Sequence, residues 1–310
     1  MAQLPAILVA LDGSEPSMDT VDYLCRMLSP QSAVIDLFHV KTETPDALFD
    51  LGSDDSRFCV EEIDAWTRHK GTQIQAFMET ARSRFLEAGF APEAVTITIQ
   101  PRKIGVARDI IERANRSCAA LVAGHHGFGT LPEFMMGSIA AKLAETMARV
   151  PLAIVGGQPA SQGVLVAFDN SPCIRKGLEQ VLGLFDRRLA EILLCHIVRP
   201  LSVPHSVARP FFSPGNEAYW LNENSRKIVP AMVAVKDRLV RAGFNPEALR
   251  TAILEKKISR AEAIVAQAGD QGVGTIIIGR RGVTSVADFS MGRVARKVLQ
   301  MAYRKAVWIV

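Results

Sequence analysis

Ile7-Leu8-Val9-Ala10-Leu11-Asp12 returns 157 positions later as Val164-Leu165-Val166-Ala167-Phe168-Asp169. Each copy is a short apolar run closed by turn residues, Gly13-Ser14 in the first and Asn170-Ser171 in the second. That is the pattern of a strand buried on both faces. At the same offset, Ala33-Val34-Ile35-Asp36-Leu37-Phe38-His39-Val40 corresponds to Ala190-Glu191-Ile192-Leu193-Leu194-Cys195-His196-Ile197. Ala88-Gly89-Phe90, followed by Pro92-Glu93-Ala94, recurs as Ala242-Gly243-Phe244 followed by Pro246-Glu247-Ala248. The chain therefore reads as one domain written twice, over 1–156 and 163–310, with the polar segment 156–162 as linker. Its 310 residues suit two domains of roughly 150 each.

Helical patterns lie between the strands. Residues 16–29 and 173–186 follow the first strand of each half. Residues 72–88 and 224–242 end at the repeated Ala-Gly-Phe, with glycine where a left-handed cap is needed. Residues 103–116 and 258–269 are amphipathic. Helices at 138–148 and 293–302 then lead to terminal strands at 152–155 and 306–310. Each half reads β-α-β-α-β-α-β-α-β. Such alternation predicts the α/β class: two tandem doubly wound domains, each with a five-stranded parallel sheet and helices on both faces. Two longer stretches, 41–70 and 199–223, interrupt the pattern at the same place in each half and read as lids, interface arms or mobile segments.

A glycine-spaced loop is also duplicated. Gly124-His125-His126-Gly127 is followed by Gly137-Ser138, and Gly279-Arg280-Arg281-Gly282 by Gly292-Arg293. Each loop leaves an apolar strand and opens a helix, where backbone N–H groups can hold phosphate. Strands one and four should end together at the crevice of an open α/β sheet. Asp12 and Val40 would then lie near 124–138, and Asp169 and Ile197 near 279–293. Glycine lets the main chain approach a phosphate, Ser138 can offer hydroxyl and N–H, and Asp12 can accept from a ribose hydroxyl or a base amine. Taken singly these features are weak: glycine pairs are common at strand–helix junctions, and a lone Asp can cap a helix. Repeated in register, they point to a ligand site.

With these motifs the chain resembles the universal stress protein family. Nucleotide-binding members carry Gly-2x-Gly-9x-Gly-Ser/Thr after the fourth strand, which Gly124, Gly127, Gly137 and Ser138 match. The opening ILVALDGSEPS and the second strand's His39-Val40 match as well. The resemblance covers both halves and implies ATP binding in the first, with or without Mg²⁺. It places Asp12 and Val40 against the adenosine, with Ala123, Gly124, Gly127, Gly137, Ser138 and Ile139 around ribose and phosphates. It also implies that the halves pack as a pseudo-dimer through their terminal strands, and a homodimer of whole chains is compatible with it. The second half departs at Arg293, which stands where Ser or Thr is expected. Asp169, Ile197, Gly279, Arg280, Gly282, Gly292 and Arg293 therefore form a candidate anion or nucleotide site whose ligand stays open. Arg293 could pair with phosphate there alongside Arg280 and Arg281, or equally fill the pocket or pair with an acidic surface of the first half.

Composition narrows the class. Aromatic content of 6% argues against a stacking platform for nucleic acid. No apolar run approaches the roughly 20 residues that span a bilayer. Five scattered cysteines without a C-x-x-C pair, and an N-terminus without a signal-peptide pattern, point to the cytoplasm. Residues 1–156 carry a net charge of −6 and residues 157–310 one of +10; such halves attract each other or an anionic partner. The pair His125-His126 suggests metal, but neighbouring side chains in an extended loop point apart and no further ligand is near in sequence, so no metal site and no catalytic residue is expected. His39 and His196 read as satisfied core or crevice residues. P-loop, dinucleotide and nucleophile-elbow motifs are absent. The leading expectation is a nucleotide-binding regulatory protein with slow or no hydrolysis. A nucleotide-free scaffold using the basic half, and an adenine-nucleotide hydrolase or nucleotidyl transferase, are the alternatives.

Overall fold

The computed structural model describes residues 4–42, 60–127, 135–159, 161–188, 191–201, 213–255, 257–283 and 290–310. The first half runs β1 (Ala6–Ala10), α1 (Glu15–Met27), β2 (Val34–Lys41), α2 (Val60–Glu87), β3 (Val95–Pro101), α3 (Val106–Ser117), β4 (Cys118–Gly124), α4 (Ser138–Thr146) and β5 (Leu152–Val155). The second repeats it with β6 (Val164–Ala167), α5 (Pro172–Leu184), β7 (Ile192–Ile197), α6 (Pro214–Arg241), β8 (Leu249–Leu254), α7 (Arg260–Asp270), β9 (Thr275–Ile278), α8 (Arg293–Met301) and β10 (Ala306–Ile309).

Each half forms the expected five-stranded parallel sheet, and the two fuse into one sheet of ten strands in the order β3-β2-β1-β4-β5-β10-β9-β6-β7-β8. The join is an antiparallel pair, with Val155 opposite Ala306 and Ala153 opposite Trp308. An unpaired edge of main-chain donors and acceptors is unstable in isolation, and here each terminal strand satisfies the other. Alternation along the strands divides the core. Ile7, Val9, Leu11 and Trp308 pack with α1, α2, α5 and α6, while Leu8, Val307 and Ile309 pack with α3, α4, α7 and α8. Both layers run without a break across the two halves.

Polar contacts also cross the join. Trp308 Nε1 donates to Tyr23 Oη at 2.9 Å, and Tyr23 Oη lies 3.0 Å from Thr275 Oγ1. Burial pushes the Tyr23 hydroxyl up to about 12. Ser32 Oγ donates to the Leu184 carbonyl at 2.6 Å, and Asp186 N to that of Met27 at 2.8 Å. Among the described residues, the ion pairs Arg113–Asp36, Arg238–Glu179 and Arg250–Glu191 each lie within one half.

The glycine caps hold in both copies. Gly89 and Gly243 both have φ of +96°. Phe90 N donates to the Phe85 carbonyl at 3.1 Å and Phe244 N to that of Leu239 at 3.1 Å, the longer bond of a Schellman ending. The long helices start earlier than the pattern suggests: α2 at Val60 and α6 at Pro214. Parts of the stretches read as loops are thus helical, while 43–59 and 202–212 lie outside the described residues. For α6 the start signal is local, since Ser213 caps the helix by accepting from Asn216 N at 3.3 Å and Pro214 opens it. Among the described residues, no helix is long and apolar enough to cross a membrane.

Candidate functional site

Strand order reverses where β1 pairs with both β2 and β4, so the carboxyl ends of β1 and β4 splay helices to opposite faces. A crevice of about 700 Å³ opens there. Asp12, Val40, Ala123, Gly124, Gly127, Gly137, Ser138 and Ile139, which the sequence reading singled out, all line it. The structure brings them together from β1, β2, β4 and α4.

Two features give the crevice its chemistry. Asp12 Oδ1 accepts from Ser14 N at 2.9 Å, from Ser14 Oγ at 2.6 Å and from Ser17 Oγ. These bonds fix the carboxylate, and its other oxygen lies where a Cβ on Gly127 would have to be. On the opposite side, Gly137 is the N-cap of α4 and supplies no side chain to cap it. The first N–H groups of a helix lack intrahelical partners and carry the positive end of its dipole. Those of Ser138, Ile139 and Ala140, all lining residues, therefore make an anion cradle.

Helix α2 adds a wall, of which Ile74 falls in the helix expected from the sequence and Trp66 and Lys70 fall in the stretch 41–70. Trp66, Lys70, Gly71 and Ile74 line the crevice, with Lys41 and Thr42 beyond β2. The signal for it was present: Trp66 and Trp220 recur at the 154-residue offset that relates the two Ala-Gly-Phe caps. His39, also lining, donates from Nδ1 to the Leu11 carbonyl at 2.8 Å, and His196 donates likewise to that of Phe168 at 2.7 Å. Burial lowers the pKa of both imidazoles.

A model of the universal stress protein family matches the chain twice, over residues 5–156 and 161–310. The chain belongs to the universal stress protein family. Universal stress protein YxiE of Bacillus subtilis (strain 168) is 27% identical over 153 residues, covering 48% of this chain and 97% of that protein. Two solved structures share the fold over nearly the full length. A universal stress protein from Archaeoglobus fulgidus DSM 4304 is 16% identical, covers 98% of this chain and 97% of its own, and has a TM-score of 0.62. One from Pseudomonas aeruginosa UCBPP-PA14, called putative, is 15% identical, covers 99% and 93%, and has a TM-score of 0.55.

The second half of this universal stress protein repeats the scaffold. Asp169 Oδ1 accepts from Ser171 N at 2.9 Å, and Gly292 N donates to the Arg280 carbonyl at 2.8 Å just as Gly137 N donates to that of His125 at 2.9 Å. Gly292 caps α8 without a side chain, and Arg293 opens that helix. Arg280 departs from expectation. Its guanidinium is buried, and Nη1 donates to the Ala144 carbonyl of the first half at 3.0 Å and to the Ser290 carbonyl of its own half at 3.3 Å. Ala144 lies in the last turn of α4, whose carbonyls lack intrahelical donors and favour a cation. Arg280 is therefore a tie between the halves and does not face the second crevice.

His125, its counterpart, also corrects an expectation. The main chain bends at His125, so the two histidine side chains meet instead of pointing apart. His125 Nδ1 lies 3.1 Å from His126 Nδ1, with ring centroids 4.4 Å apart. Among the described residues no group of three or more His, Cys, Asp or Glu is gathered. Burial, and then His126, lower the His125 pKa to about 4. An unfolded histidine titrates near 6.5, so between these values the unfolded chain binds more protons. Stability is then full above about 6.5 and falls as the pH drops toward 4, by up to about 3 kcal/mol. Urea midpoints of wild type and His125→Gln, compared from pH 7 to 4.5, should converge at the acid end. Parallel curves would refute the assignment.

Proposed function

We propose that the first crevice binds an adenine nucleotide, ATP, and that the protein is a cytoplasmic stress-response regulator acting through occupancy. The supporting observation is a pocket of about 700 Å³ whose lining combines apolar side chains, a fixed carboxylate, a lysine and a helix N-terminus. Apolar Phe38, Val40, Val106 and Ile110 suit a base, fixed Asp12 suits ribose hydroxyls, and Lys70 with the α4 amide groups suits phosphates. The volume is within the usual range of small-molecule sites, roughly 300–1,000 Å³. Hydrolysis is expected to be slow, because the Asp12 carboxylate is already bonded to Ser14 and Ser17.

Calorimetric titration with ATP, with and without Mg²⁺, tests the reading. Wild type should bind ATP, Lys70→Ala should weaken binding about tenfold through loss of a charge-assisted bond, and Ser138→Ala by a few-fold. A thermal midpoint that stays fixed at millimolar ATP would favour a nucleotide-free scaffold. Turnover in the ordinary enzymatic range, roughly 1–1,000 per second, would favour a hydrolase or transferase.

A further inference from the structure

The register that relates the two halves equates their lining positions: Lys41 and Lys70 of the first crevice become Val198 and Asn224, while four other positions gain a cation. Pairing of Ile7 with Ile35 and of Val164 with Ile192, together with the matching His39 and His196 bonds, makes Thr42 the counterpart of Arg199. Val106 and Arg260 each open the third helix of their half. Gly124 and Gly127 against Gly279 and Gly282 equate His126 with Arg281, and the N-caps Gly137 and Gly292 equate Ser138 with Arg293. Thr42, Val106, His126 and Ser138 all line the first crevice. Each is an arginine in the second half.

We propose that the second crevice is a site for a small polyphosphate, an anion carrying several linked phosphoryl groups, and not for a nucleoside. Like charges held together destabilise a fold unless something neutralises them. Among the described residues, none of Arg199, Arg260, Arg281 and Arg293 forms an ion pair with a carboxylate. Arg260 lies in electrostatic range of the like charge of Arg199 and of the opposite charge of Asp169. Trp220 anchors the wall by donating from Nε1 to the Arg199 carbonyl at 3.2 Å. The uncapped start of α8 adds amide donors beside Arg293. Guanidinium groups bind phosphate oxygens bidentately, so four of them around one crevice select for charge number. Arg260 also removes the apolar contact that Val106 offers in the first half, which disfavours a base.

The proposal is independent of ATP in the first crevice, and the experiment separates them. Calorimetric titration with tripolyphosphate is run on the full chain as wild type, as Arg199→Thr/Arg260→Val, which restores the first half's residues, and as Gly127→Val in the first loop. Tripolyphosphate should bind wild type, should still bind Gly127→Val, in which the first crevice is disrupted, and its binding to the second crevice should be at least tenfold weaker in the arginine double variant. Arg293→Ser, at an exposed position, serves as a second variant and should weaken binding in the same direction. Absence of tripolyphosphate binding to wild type at millimolar concentration would overturn the proposal. So would binding that is lost in Gly127→Val and kept in both arginine variants, because the anion would then occupy the first crevice alone.

Discussion

Trp308→Ala is expected to lower the unfolding free energy by about 4 kcal/mol, the usual size for deletion of a large aromatic side chain from a packed core. Trp308 is fully buried in β10, opposite Ala153 of β5. Its ring meets that of Phe185 edge to face, with centroids 5.4 Å apart, and its N–H satisfies the Tyr23 hydroxyl of the other half. Truncation empties the volume facing Ala153 and removes a donor from a buried hydroxyl, and the structure on both sides is too close-packed to collapse into the gap. Urea unfolding monitored by circular dichroism measures the change, and a loss under about 1 kcal/mol would contradict this role. Tyr23→Phe is the milder companion: it leaves the Trp308 N–H without an acceptor, at about 1–3 kcal/mol. Because the two residues touch, the double variant should cost less than the sum of the singles.

The same junction shows what the sequence makes legible. Strands β1 and β6 are continuous apolar runs bounded by turn residues, and β2 and β7 are predominantly apolar and repeat at the same offset, so local pattern suffices to find them. Gly89 and Gly243 occupy left-handed caps that nearly any other residue would strain, so composition marks the helix ends. The first crevice was readable for the same reason: its glycines, Asp12 and Ser138 have fixed spacings along short segments. Less legible was whatever depends on direction in space. Trp66 and Lys70 join the site only because α2 runs over the mouth of the crevice, which no spacing states. Arg280 and His125 occupy bends where a side chain's heading is set by the main chain's turn: Arg280 heads toward the first half, and His125 toward His126. The four arginines of the second crevice are scattered from 199 to 293, and they become a cluster only when the parallel register is known.

Gly127→Val carries the largest expected effect on binding, a loss of ATP affinity of at least about 100-fold, or roughly 3 kcal/mol. A Cβ at this position would overlap Asp12 Oδ2. The carboxylate cannot swing aside cheaply, because Oδ1 is held by Ser14 N, Ser14 Oγ and Ser17 Oγ, so the loop itself must move. Moving it carries away the segment whose neighbour, the His125 carbonyl, accepts from Gly137 N and so seats the start of α4. Both ends of the proposed ligand would lose their contacts at once, whereas Ser138→Ala removes only one hydroxyl. The corresponding change in the second half is milder, since a Cβ on Gly282 would lie 3.1 Å from Asp169 Oδ2. Gly282→Val should therefore leave ATP binding unchanged. Calorimetry of both variants, with circular dichroism to verify folding, decides the matter: wild-type affinity in Gly127→Val would mean that ATP does not sit between Asp12 and the loop.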